Sequence, residues 1–268
     1  MGFKQLFCEL MRDRVVQIIK WCVFLLLTAK GILHFTTSQP YEFLFGETNL
    51  IEKLFGIVLI LFGLIALLPH GLWKKTKWIY LFTIPSLILI VQSAASYIKA
   101  GSVIEQIVEH SLQMMLPLVF MFIMSANNYR ERRLFNLLAV LVGLTFVGHA
   151  LYAIGLHYVP ENFIEMTMKS LHLTKNQALK FLFIIGWLDI VFALLAFIPF
   201  VRKYTIWYLI IWGFLTSIAR TYYVLGDEFS SDLLFINLPN TIYRLPHGVV
   251  PVLMLILAKK IDVRKTIS

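Results

Sequence analysis

Eight runs of about 20 mostly apolar residues, parted by short blocks of lysine and arginine, restrict the folds open to this chain. They are Val15–Phe35, Ile51–Pro69, Trp78–Ile98, Ile107–Ala126, Leu134–Leu156, Ala178–Phe200, Tyr204–Leu225 and Thr241–Ala258. Each is long enough to cross a bilayer as one helix. An all-α, polytopic integral membrane protein with eight transmembrane helices is predicted. The composition agrees: 59% of the residues are hydrophobic and only 15% charged, against about 25% charged in soluble domains.

The net charge of +9 does not point to nucleic acid, because the basic residues sit in blocks between the apolar runs. Such blocks mark cytoplasmic loops. With the N-terminus in the cytoplasm, sixteen lysines and arginines fall in inner segments and five in outer ones. The inner set includes Lys74, Lys75 and Lys77; Arg130, Arg132 and Arg133; and Lys259, Lys260, Arg264 and Lys265. Acids such as Glu47, Asp227, Glu228 and Asp232 gather outside. Both termini are therefore expected in the cytoplasm, with the lipid bilayer as the principal partner. Met1 to Lys20 lacks a cleavage site, so the first run is expected to stay as a span. The lack of targeting segments suggests a bacterial cytoplasmic membrane. Cys8 and Cys22 form no C-x-x-C, which argues against thiol–disulfide chemistry.

The outer loops carry local signals. Asn49-x-x-Glu52 and Thr174-x-x-Gln177 read as capping boxes. Between Pro160 and Leu173, Phe163, Ile164, Met166, Met168 and Leu171 mix with Glu161, Glu165 and Lys169, which predicts a short amphipathic helix on the outer surface or folded back as a lid.

The chain also echoes itself. Gly56 to Pro69 resembles Gly186 to Pro199 without a gap, and Pro40-x-x-Phe43 echoes Pro160-x-x-Phe163. The fourth run of each half holds a proline, Pro117 and Pro251, which sets His110 opposite Arg244 and Gln113 opposite His247. Two parallel four-helix repeats are expected, residues 1–133 and 134–268, related by an axis along the membrane normal. Such a unit resembles the DoxX-like family of small membrane proteins, through Lys30-Gly31-Ile32-Leu33-His34, the Pro40 segment and Leu61-Phe62-Gly63-Leu64-Ile65. The doubling departs from that family, whose members are mostly single units. The resemblance implies a redox role in the cytoplasmic membrane beside quinones or a redox partner protein. It carries over no catalytic residue.

Ionisable residues inside a membrane are costly and point to function by default. Lys30, His34, Glu109, His110, His149, Arg220, Arg244 and His247 all fall in the outer parts of their runs, and Asp189 near the middle. This one-sidedness predicts a polar pocket open to the outside. The second half supplies the candidates: His149, Asp189, Arg220 and His247 for catalysis, and Tyr152, Tyr222 and Arg244 for substrate binding. Asp189 needs a partner or a proton. Arg220 is the first choice and Arg244 the second, although such a pair could serve only to join helices. Lys30 reads as a snorkelling side chain.

No helix carries two histidines at metal spacing, and no G-x-S-x-G or P-loop is present. A bis-histidine haem, on His149 with His247 or His34 with His110, is a weaker alternative to a quinone. Two functional readings remain. One is a redox-linked, quinone-associated membrane subunit or enzyme. The other is a small-molecule or proton-coupled transporter, or a scaffold without chemistry. The scarcity of polar residues in the inner halves, and of helix breakers beyond Pro85, Pro117 and Pro251, weighs against transport.

Overall fold

The structure is a computed structural model and describes residues 3–46, 49–69, 72–73, 77–125, 129–225 and 231–267, with the side chains of 3–12, 231–233 and 263–267 excepted. Lys74, Lys75, Glu47, Asp227 and Glu228, used in the charge argument, lie outside the described residues, as do the side chains of Asp232, Arg264 and Lys265.

Helices account for every regular element among the described residues. They are α1 (Phe3–Thr36), α2 (Glu42–Phe45), α3 (Asn49–Ala66), a 3-10 stretch (Lys77–Phe82) leading into α4 (Thr83–Lys99), α5 (Glu105–Val108), α6 (Ser111–Ser125), α7 (Glu131–Ile154), α8 (Glu161–Leu171), α9 (Lys175–Leu195), α10 (Arg202–Leu225), α11 (Ser231–Ile242) and α12 (Pro246–Ile267). Eight helical segments are long and apolar enough to cross a membrane: one on each of α1, α3, α7, α9 and α10, and one each on the 3-10 stretch with α4, on α5–α6 and on α11–α12. That pattern is the one expected of a multi-pass membrane protein.

Four of these segments make the centre. α1 packs on α6 and α12, and α7 packs on the same two helices. One large apolar core runs through them, with Leu26, Leu27, Leu116, Phe120, Leu138, Val142, Leu253 and Met254 among its fully enclosed or nearly enclosed members. α3, α9 and α10 lie outside and turn Leu54, Leu61, Phe183, Ile184, Leu194, Ile211 and Leu215 away from the protein. So much outward apolar area is a liability in water and ordinary in lipid.

The packing repeats in order. α1 lies on α3 as α7 lies on α9; α2 touches α4 as α8 touches α10; α4 pairs with α5 and α6 as α10 pairs with α11 and α12. At the closest approach of each outer helix, a Cβ on Gly56 would strike the Gly31 carbonyl, and one on Gly186 the Ala150 carbonyl.

Two helix breaks differ from the sequence expectation of continuous spans. The fourth span breaks at Glu109–His110, between α5 and α6, and the eighth at Tyr243–Leu245, between α11 and α12. At both the chain tightens to bonds of the 3-10 type: His110 N–H to the Ile107 carbonyl (3.2 Å), Arg244 N–H to the Thr241 carbonyl (3.1 Å) and His247 N–H to the Arg244 carbonyl (2.8 Å). Side chains satisfy what the breaks release. Leu112 N–H donates to Thr145 Oγ1 on α7 (3.1 Å), and Ser217 Oγ on α10 donates to the Arg244 carbonyl (2.9 Å). The breaks make room for close contacts: Gly148 presses on the Glu109 backbone and Gly213 on that of His247.

The lid segment is helical, as predicted, and Thr174 forms its capping box with Gln177. Asn49 does not behave as predicted. It lies inside α3, and the Glu52 carboxylate reaches back to accept from Gln39 N–H at 2.6 Å. Glu52 thereby ties α3 to the turn after α1. Tyr41, in that turn, donates to His34 Nε2 (2.8 Å), and His34 Nδ1 donates to the Lys30 carbonyl (2.7 Å). Burial, and secondarily the Glu52 carboxylate, pushes the Tyr41 phenol up from its ordinary value, so it serves as a donor.

Candidate functional site

The end of the bundle carrying α2, α5, α8 and α11, here the far end, gathers the charged residues of the helix breaks. His149 from α7 places Nδ1 3.4 Å from Glu109 Oε2, and His110 places Nε2 3.5 Å from Glu109 Oε1. His110 Nδ1 donates to the Gln106 carbonyl (2.6 Å). Its Nε2 therefore faces the carboxylate either as a lone pair or as the second N–H of an imidazolium. The His149 ring sits edge-on to His247 (centroids 5.6 Å), and Gln113 Nε2 lies 3.4 Å from His247 Nε2.

The cations lie alongside. Arg244 and Lys30 each stand 4.2 Å from the centroid of the Tyr243 ring, and Arg220 stands 5.3 Å from that of Phe163. Arg244 donates through Nη1 to the Asn240 carbonyl (3.2 Å). The Nε atoms of Arg220 and Arg244 and Oε1 of Gln113 are buried without a hydrogen-bond partner among the described residues. A buried polar group normally finds one.

Two cavities meet here. A polar chamber of about 410 Å³ is lined by Lys30, Gln106, Glu109, His110, Gln113, Tyr152 and Tyr243, among others. An apolar groove of about 450 Å³ runs between α7, α8, α9 and α10, lined by Phe146, Phe181, Leu182, Ile185, Trp212, Leu215 and Tyr222, with His149 and His247 at its polar end. Phe163, Arg220 and Arg244 belong to both linings. Glu109 and His110 thus face the chamber, and His149 faces the groove.

Of the residues singled out from the sequence, His149, Arg220, Arg244 and His247 come together. Tyr152 is close by, buried, and donates to Gln106 Oε1 (2.9 Å). Tyr222 lies along the groove, more than half exposed. Asp189 lines the groove as well, but its expected pairing with Arg220 or Arg244 does not occur. Tyr208 Oη donates to its Oδ1 (2.6 Å) and Trp212 Nε1 to its Oδ2 (3.2 Å). Both donors sit on α10, directly across from α9, whereas Arg220 is two turns further along. Lys30 corrects a second expectation: it does not snorkel, being 6% exposed and held against Tyr243. Glu109, Gln113, Tyr243 and Phe163 were not picked as site residues. The proline alignment that set Gln113 opposite His247 was the available signal for one of them.

The site does not fit a haem. His149 and His247 are in edge contact with no slot for a macrocycle, and both ring nitrogens of His34 are engaged. No group of three or more His, Cys, Asp or Glu suited to a metal occurs among the described residues. No protein-family model, curated protein or solved structure matches this chain.

Proposed function

We propose that this chain is a bacterial cytoplasmic-membrane protein, both termini in the cytoplasm, that binds a quinone-like amphiphile and handles its protons as a redox-linked subunit or enzyme. The observation that carries the reading is the seam between groove and chamber. An apolar tail fits among Phe181, Ile185, Trp212 and Leu215, and its head meets His149, His247 and the two arginines.

Each residue has a part in this reading. Arg220 and Arg244 hold head-group oxygens through guanidinium N–H groups that the protein leaves unpaired. His149 gives or takes a proton at Nε2 while Glu109 faces its Nδ1. His110 and Glu109 pass the proton to the chamber, and so to water on the outer side. A bound quinone supplies two-electron chemistry linked to two protons, with electrons from a partner redox protein.

Two further parts of the proposal have support in the fold. The repeated packing order, and the two helix breaks at matching places, favour two four-helix repeats at 1–133 and 134–268. That internal symmetry, with the motifs at Lys30–His34 and Leu61–Ile65, keeps the DoxX-like resemblance as the proposed kinship. Transport has less support. Asp189 is occupied by Tyr208 and Trp212, and the apolar core fills the centre beyond the breaks.

The test is to purify the protein in mild detergent, extract it with solvent and quantify quinone, with a dithionite difference spectrum alongside. Wild type should retain quinone, and His149→Ala and Arg220→Leu should each lower its retention at least about tenfold. Full retention in both folded variants sinks the reading.

A further inference from the structure

The polar chamber is more than an entrance. We propose that it is a second binding site, for a phosphate-type oxyanion carried on a small hydroxylated body. The inference shares Arg220 and Arg244 with the groove but does not need an amphiphile bound there.

Charge is the first argument. Lys30, Arg220 and Arg244 line the chamber, and Glu109 is the one carboxylate on its lining among the described residues. The two guanidinium groups alone outnumber that carboxylate, and Lys30 adds a third basic group. A cation is repelled there, and an uncharged ligand leaves that surplus uncompensated in a water-poor site.

Unpaired atoms are the second. Arg244 Nε, Gln113 Oε1 and Ser93 Oγ have no hydrogen-bond partner among the described residues, and these residues are 8%, 3% and 4% exposed. Two are donors, and two guanidinium groups with a lysine match the several acceptor oxygens of a phosphate. Elsewhere such unpaired buried groups are costly, so a ligand that supplies acceptors gains what the protein alone forgoes.

Size and lining set the rest of the ligand. About 410 Å³ is several times the space of an inorganic phosphate. The remaining wall carries amides and hydroxyls, including Gln39, Gln92, Asn162, Asn240 and Tyr158. Such groups bond to hydroxyls of a polyol better than to hydrocarbon. The same chemistry comes from two sources: a soluble phosphomonoester entering at the far end, or the glycerophosphate head of an anionic lipid reaching across the shared Phe163–Arg220–Arg244 wall.

The test uses the full chain in nanodiscs of zwitterionic phosphatidylcholine, titrated with glycerol 3-phosphate and with glycerol as control, and read by calorimetry and thermal unfolding. Glycerol 3-phosphate should bind saturably and raise the midpoint, and glycerol should not. Lys30→Gln should weaken binding at least about tenfold and Ser93→Ala about threefold, with helical circular dichroism unchanged. If Lys30→Gln fails to fold, Ser93→Ala decides alone. In a second arm, nanodiscs containing phosphatidylglycerol are examined by native mass spectrometry. Retained phosphatidylglycerol that is lost in the variants, with no response to glycerol 3-phosphate, assigns the site to a lipid head. No binding in either arm, or equal binding in wild type and both folded variants, overturns the proposal. Quinone content, measured on the same preparations, should not change in Lys30→Gln, so the groove and chamber readings fail separately.

Discussion

At the near end of the bundle, where α7 and α10 begin, Arg202 meets Asp262, Lys260 meets Glu131 at 2.8 Å, and Lys20 Nζ donates to the Leu68 carbonyl at 2.6 Å. At the far end, among the described residues, Lys30, Arg220 and Arg244 gather round the Glu109 carboxylate and three histidines, and two guanidinium Nε atoms go without a partner. Most basic residues of the sequence lie at the near end, yet among these buried groups it is the far end that leaves donors unmatched. Charges matched within the protein join helices, whereas charges left over are held in place by the fold against their own solvation, which is what a ligand site requires.

The comparison can be broken or sharpened by mutation, in falling order of expected effect. Gly148→Val drives a side chain into the Glu109 backbone and should lower unfolding stability by about 3 kcal/mol or more, measured as denaturant unfolding in detergent. It should also cost quinone retention, because Glu109 is displaced. A variant that folds and binds as wild type would mean that the α5–α7 approach does not shape the site.

Glu131→Gln comes next. Its partner Lys260 and the carboxylate itself are mostly buried, so the change should cost about 2 kcal/mol and leave ligand retention alone. Arg220→Met should do the reverse: retention falls, while stability holds or rises by up to about 1 kcal/mol, because an incompletely paired buried charge has gone. If Arg220→Met destabilised as much as Glu131→Gln, the two ends would be alike and the contrast would be lost.

Asp189→Asn should have the smallest effect, below about 1 kcal/mol. The amide oxygen can accept from Trp212 Nε1, while the new NH2 donates to Tyr208 Oη, which can turn to accept. Unchanged quinone retention is expected. A large loss of binding would mean that Asp189, which also lines the groove, touches the ligand and does more than join α9 to α10.

Much of the site was legible. His149, Arg220, Arg244 and His247 stand out because a charged residue within an apolar run has few innocent explanations. Asp189 stands out by the same rule, yet it forms a helix-to-helix bond with a tyrosine and a tryptophan. Rotation of α9 about its axis decides which neighbour a side chain meets, and a helix apolar nearly all round carries no stripe from which to read that rotation. Lys30 was misjudged for a related reason. Whether a lysine reaches out or folds over a tyrosine depends on Tyr243, a residue of the far-off eighth span, being packed beside it.

Chain order and apolar length alone determine the eight span-length helices, the short amphipathic helix before α9 and its Thr174 cap. These depend on local backbone and transfer energetics, which act on residues close in sequence. The helix breaks at Glu109–His110 and Tyr243–Leu245 were settled by tertiary structure. A break inside an apolar bundle is stable only when a neighbour satisfies the freed groups, as Thr145 and Ser217 do here. The seam between chamber and groove belongs to the same level, since its residues come from α1, α5, α6, α7, α8, α10 and α12 and from the break before α12. No local rule relates Lys30 to Arg244; packing does.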